Sequence, residues 1–270
     1  MPAPARPRDA GLRRLTTAGG LQSIAALAVL LLAGPAWAGA WPTPAGQTQA
    51  ILKYEGATAD EAYDPDGLVV PITERTEESL SLFVERGLTE RITFQGKVAY
   101  ARGEDQFVGY SGRGPVELGL RYALLKERTA VSLYAGAVIA GEGRNAGYAA
   151  PGAGEADLEL RLLAGRSGAL WRRPLFAEVQ VARLAREGLP DETRIDTTIG
   201  WEPFAGWLLL SQTYAGRAEA DPVAPMWLKN ELGVVRRFGD WRVQAGWRRS
   251  TFGVESPAEQ GPVLALWATF

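Results

Sequence analysis

Apolar and polar residues alternate along most of the chain in segments of about ten, with turn-forming residues between them. A side-chain period of two puts alternate residues on opposite faces of a sheet, so each segment predicts a strand with one apolar face. The cleanest alternation runs over 91–102. There Ile92, Phe94, Val98 and Tyr100 share one face, and Thr93, Gln95, Lys97 and Ala99 share the other. Over 112–124 Val116, Leu118, Leu120 and Tyr122 are in phase against Glu117 and Arg121; over 129–141 the apolar set is Val131, Leu133, Ala135, Ala137 and Ile139. Over 154–165 Leu158, Leu160 and Leu162 alternate with Asp157, Glu159 and Arg161. Together with 46–56, 75–86, 173–184, 191–203, 207–218, 227–238, 241–252 and 261–270 these predict twelve strands. The phase of 207–218 stays open, because Leu208 to Leu210 is continuously apolar.

The connections sort by length. Those after even-numbered strands are short, and several after odd-numbered strands are long, the longest being a polar loop predicted over 57–74. A single all-β domain follows, an up-and-down antiparallel barrel of about twelve strands. The sharpest expectation concerns Gly239-Asp240, a two-residue hairpin link. It sets Phe238 opposite Trp241, Leu232 opposite Trp247 and Val234 opposite Ala245. On the other face it pairs Glu231 with Arg248, Gly233 with Gly246, Val235 with Gln244 and Arg237 with Arg242.

The N-terminal region changes the compartment. Arg6, Arg8, Arg13 and Arg14 precede an apolar run over 24–33, and Ala36-Trp37-Ala38 has the small-x-small form of a cleavage site. Residues 1–38 therefore read as a secretory signal peptide, with the mature barrel over 39–270 starting at Gly39. The apolar run is too short to span a bilayer as a helix. Residues 1–38 hold four of the 29 basic and one of the 31 acidic residues, which leaves 25 against 30 and a net charge of −5. No basic patch suggests nucleic acid. The absence of Cys removes any disulfide framework.

The stretch 261–270 resembles the closing strand of bacterial outer-membrane β-barrels, which usually end on Phe or Trp with apolar residues at alternate positions before it. Here Phe270, Ala268, Leu266 and Leu264 hold those positions. The resemblance implies an outer-membrane barrel facing lipid, with both termini periplasmic and Phe270 read by the barrel-assembly machinery. A soluble sandwich or lipocalin-like barrel also alternates. Against it stand polar faces rich in small residues, and aromatics gathered at strand ends: Trp201 with Trp207, Phe238 with Trp241, and Tyr122.

Candidate chemistry is sparse. The chain has no His, the usual general base beside a nucleophilic Ser, so an enzyme is disfavoured. Asp157 and Glu159 are better read as lumen lining than as a catalytic pair. The acidic run Asp60 to Gly67, within the predicted loop 57–74, carries the oxygens a Ca²⁺ takes but not the spacing of a calcium loop. Gly141 to Gly147 lacks the following helix of a nucleotide loop. No cofactor is expected. What remains is the lumen, with Lys97, Glu117, Arg121, Asp157, Glu159, Arg161, Glu178, Arg194, Asp196, Lys229, Glu231, Arg242 and Arg248 assigned inward. Mixed charge suits a narrow channel for small solutes. It equally suits a network that fills a non-transporting barrel, structural or accessory to envelope or surface-polysaccharide assembly.

Overall fold

The computed structural model describes residues 39–270. The expected signal peptide over 1–38 lies outside the described residues. Fourteen strand segments form one antiparallel sheet: β1 (Thr48–Tyr63), β2 (Val69–Gly87), β3 (Ile92–Glu104), β4 (Gly109–Arg113), β5 (Val116–Lys126), β6 (Thr129–Ile139), β7 (Ala156–Leu170), β8 (Arg173–Arg186), β9 (Glu192–Phe204), β10 (Trp207–Ala218), β11 (Met226–Phe238), β12 (Trp241–Val254), β13 (Ser256–Pro257) and β14 (Gln260–Thr269). β4 and β5 are two parts of one stave broken at Gly114-Pro115, and β13 is a two-residue cap on β1. Twelve staves remain. β1 pairs with β2 on one side and β14 on the other, so the sheet closes on itself.

The molecule is inside out relative to a soluble protein. Leu133, Leu162, Val181, Ile195, Ile199, Leu232 and Val234 are exposed on the outer wall, while Glu85, Arg121, Glu159, Glu192 and Glu231 are buried within. An apolar outer wall is stable only against hydrocarbon, and a closed ladder leaves no edge amide for lipid to desolvate. The expected closing-strand face is outward: Leu264, Leu266 and Phe270 are exposed. Aromatics ring the end that carries the tight turns, with Trp171 against Trp201 and Arg236 over both Trp207 and Phe238. At the other end outward polar groups mark the boundary: Tyr54 donates to Glu78, which also meets Arg102, and Arg183 holds Asp191 and Glu219.

The Gly239-Asp240 hairpin has the expected register at every one of the seven pairs named above. The phase of β10 is also settled. Trp207 and Leu209 point out, and Leu210 is buried within. A register shift between Trp207 and Leu209 puts one extra residue on β9, while β10 itself keeps a period of two; the sequence shows no clean face there because Leu208 and Leu210, opposite in parity to Leu209, are apolar as well.

Three expectations change. The polar loop over 57–74 is mostly strand. β1 and β2 continue to Tyr63 and Val69, leaving a connection over 64–68, because the β-prone Val69 and Val70 pair with Tyr63 and Ala62 beyond a register shift at Ala59/Glu61. Its acidic residues are spread along a hairpin. Asp64 instead accepts the amides of Asp66 and Leu68 in a turn, and no metal-holding acidic cluster occurs among the described residues. The loop expected over 103–111 contains most of β4. The strand expected to stop at residue 165 runs to Leu170, and Trp171 and Arg172, both at positive φ, make a two-residue turn.

The outer wall gives the first prediction. Leu162→Arg puts a charge at mid-belt, opposite Leu133 and Val181. It should destabilise the barrel by about 2–4 kcal/mol in denaturant titrations with lipid vesicles. A change within about 0.5 kcal/mol, as at an ordinary soluble surface, would refute the membrane-facing assignment.

Candidate functional site

The site is the lumen, and its parity follows from the pleat. Lys97, Arg194, Asp196 and Arg248 line a chamber of about 610 Å³ whose wall also carries Lys53, Glu55, Tyr214 and Trp227. Gly216 makes room for one aromatic wall: a Cβ there would lie 2.0 Å from Trp227 Cζ2. Arg248 stacks over Tyr214 at 4.7 Å.

Three groups hold most of the charges around the chamber, while Lys229 pairs separately with Glu259, which Arg75 also meets at 3.6 Å. Glu231, buried on β11, accepts from Arg248 Nη2 at 2.6 Å, Lys53 Nζ at 3.3 Å and Gln244 Nε2 at 3.0 Å. Arg248 also meets Glu55 on β1. The expected Glu231–Arg248 pair is therefore real, but its carboxylate is shared with a lysine the sequence did not single out. Toward the loop end, Arg186 holds Asp157 at 3.0 Å and also meets Glu192, which in turn accepts from Arg194 Nη2 at 2.5 Å. On the remaining wall Lys97 pairs with Glu117 at 2.8 Å, and Arg161 pairs with Glu159 and donates to Gln180 at 2.7 Å. Arg242 shares the inward face of β12 with Gln244, but lies opposite Arg237 beside the turn, away from these groups.

The chamber is bounded at its loop end by the connection over 140–155. Asn145 braces that loop by accepting from the Gly141 amide and donating to the Ala153 carbonyl, while Tyr148 Oη donates to Glu192 at 3.1 Å. Arg144 anchors it to Asp105 in the neighbouring connection. The amides of Phe107 and then Val108 hold the Asp105 carboxyl below its ordinary range, and Arg144 adds to this.

The turn end holds the feature that sequence reading missed. Residues 39–45 run inside the barrel before β1 begins. Ala40, Trp41 and Thr43 are buried. Trp41 Nε1 donates to the Glu127 carbonyl at 2.9 Å, and its own carbonyl accepts from Arg121 Nη2 at 2.9 Å. Arg121 is fully buried and holds Glu85 at 2.8 Å. Ser132 Oγ donates to the Ala40 carbonyl at 2.6 Å, and the Thr43 amide donates to Thr93 Oγ1 at 3.0 Å. Gly165 leaves space for the indole: a Cβ there would meet Trp41 Cζ3 at 2.5 Å. The sequence signal was present but faint. Ala40-Trp41-Pro42-Thr43-Pro44 has two prolines and cannot pair as a strand, yet carries a Trp that must be placed somewhere. Lys53 and Glu55 were missed because the apolar Ile51 shares their inward face and blurs the alternation of β1.

Arg121 provides the second prediction. Arg121→Met strands Glu85 as a buried charge and should cost about 3–5 kcal/mol in vesicle unfolding. Adding Glu85→Leu should recover much of that loss. Equal loss in single and double variants would show that packing, not the ion pair, is at stake.

No family model matches the chain, and no curated protein matches it. Solved structures do. An outer-membrane channel of the COG4313 group from Pseudomonas putida F1 aligns with TM-score 0.64 at 15% identity, over 86% of this chain and 98% of that one. The translocator domain of the autotransporter NalP from Neisseria meningitidis aligns at 0.51 and 10% identity, over 93% and 95%. The NanC porin aligns at 0.51 and 8% identity, over 82% and 98%. At these identities the likeness is one of fold, and the chain has the closed antiparallel fold of the bacterial outer-membrane β-barrels.

Proposed function

We propose that this protein is a narrow outer-membrane channel for small solutes, with both termini on the periplasmic side and with residues 39–45 closing its periplasmic mouth. The observation that carries the reading is the chamber of about 610 Å³ above that segment, walled by fixed charges of both signs and by the rings of Phe83, Tyr148, Tyr214 and Trp227. A barrel serving only as a wall gains nothing from such a volume, which is in the range of small-molecule sites. Two barrels of like fold are described as a channel and a porin. Passage requires residues 39–45 to move, because they fill the lumen at the level of Arg121 and Thr93.

A second reading is a non-transporting barrel. It is favoured by the same closure and by the ion pairs that brace the wall. Acid–base catalysis gains little support: Asp157 is tied to Arg186 and Glu159 to Arg161. Phe270 is proposed as the assembly signal, so deleting it should lower the folded barrel in cell membranes while purified protein still refolds in detergent.

Single-channel recording separates the two main readings. Glu231→Gln removes the carboxylate between Lys53 and Arg248 and should raise anion preference; Arg248→Gln should shift preference toward cations. Gly165→Val pushes against Trp41 and should increase conduction while the protein stays heat-modifiable on detergent gels. If all three behave as the parent, or if no preparation conducts, the non-transporting barrel is the better account.

A further inference from the structure

Six acidic side chains are buried among the described residues: Glu85, Asp157, Glu159, Glu178, Glu192 and Glu231. Five face a cation at salt-bridge distance: Glu85 meets Arg121, Asp157 and Glu192 meet Arg186, Glu159 meets Arg161, and Glu231 meets Arg248. Glu178 is the exception. No described Lys or Arg pairs with it; it accepts from the Ala40 amide at 2.6 Å and from the Gln180 side-chain amide. A buried carboxylate without a countercharge is costly, and neutral amides offset only part of that cost.

The missing charge is one residue away. Gly39 lies against the same carboxylate: a Cβ on Gly39 would sit 3.3 Å from Glu178 Oε1 and 3.1 Å from Gln180 Nε2. Cleavage after Ala38 would turn the Gly39 amide nitrogen into an α-ammonium at this spot. We propose that signal removal arms the plug: the new ammonium of Gly39 pairs with Glu178, and the Ala40 amide completes a two-pronged grip on that carboxylate. An uncut or extended chain lacks the charge at that position, so the segment is held more tightly in the processed protein. The proposal rests on the signal-peptide reading, and its main test is independent of conduction.

Protein secreted by cells and purified from their outer membranes is first weighed intact; a mature chain beginning elsewhere than Gly39 overturns the proposal. A carbodiimide then activates the carboxylate and is released as its urea, leaving a zero-length amide wherever an amine touches it. Tandem mass spectrometry should find Gly39 joined to Glu178. The link should be absent from Glu178→Gln, whose side chain matches in shape. A parent chain with no such link overturns the ion pair whatever the protein conducts. In bilayers, Glu178→Gln and a refolded chain that starts at Ala36 should each open about tenfold more often than the processed parent, the factor expected for losing one charge-assisted contact. The two changes combined should add nothing further. If Glu178→Gln opens the channel but the extended chain behaves as the parent, the Ala40 amide alone holds the plug and the ammonium latch is wrong. If no preparation conducts, the channel reading falls and the cross-link alone decides the ion pair.

Discussion

Hydrocarbon offers no water to a free amide, so each backbone N–H and C=O on the wall needs a partner on the next strand. The pairing of β1 with β14 meets that requirement, running from Gln49↔Thr269 to Thr58↔Gln260. Thr48 and Phe270 exchange both backbone hydrogen bonds at its lower end. Other features follow from closure. Because no edge is left, the wall can be apolar outside, and because the pleat alternates, the inward half of every strand is free to be polar. The same closure fixes each strand's face, since a slip of one residue would exchange Arg242, Gln244 and Arg248 with Val243, Ala245 and Trp247.

A polar interior then has to satisfy itself. Carboxylates buried in the wall need cationic partners, so charges are grouped across strands. Glu231 on β11 draws on Lys53 of β1 and Arg248 of β12, and Arg186 on β8 joins Asp157 of β7 to Glu192 of β9. Such groups cross-link the wall, but a partly wet ion pair adds only about 0–1 kcal/mol. Their stronger effect is negative, since removing one partner of a fully buried set leaves an uncompensated charge. This makes the chamber wall sharply defined in charge and position, whatever it handles.

How much of this was legible depends on which physical signal each part leaves. Alternation is local, so the strands, their inward faces and the Glu231–Arg248 pair could be read directly. The β1–β2 extension was misread because charged Asp60 and Glu61 look like loop residues, whereas outside the membrane a hairpin tolerates them at exposed positions. The phase of β10 was hidden because Leu208 and Leu210 on one face are as apolar as Leu209 on the other. The plug was harder still. Ala40, Trp41 and Thr43 are held by Arg121, Ser132, Thr93 and Glu127, which lie 50 to 92 residues away in the chain. No local pattern encodes such contacts, and Gly165 reads as an ordinary strand glycine until the indole is seen beside it.

The two parts of the lumen differ in how they can move. The wall is one continuous ladder, and opening it exposes amides to lipid along a whole strand. The segment over 39–45 is tied by a handful of hydrogen bonds, each contributing about 0.5–1.5 kcal/mol net, and by one indole. It enters the ladder only through the Ala45–Gly87 bridge and β1. A free energy well below that of global unfolding is therefore enough to release it, which is the behaviour of a locally unfolding unit rather than of a hinge. Because Arg121 joins the plug to the wall, through the Trp41 carbonyl on one side and Glu85 on the other, releasing the segment need not break the wall's own ion pair. The barrel can thus lose its inner segment and keep its charge network.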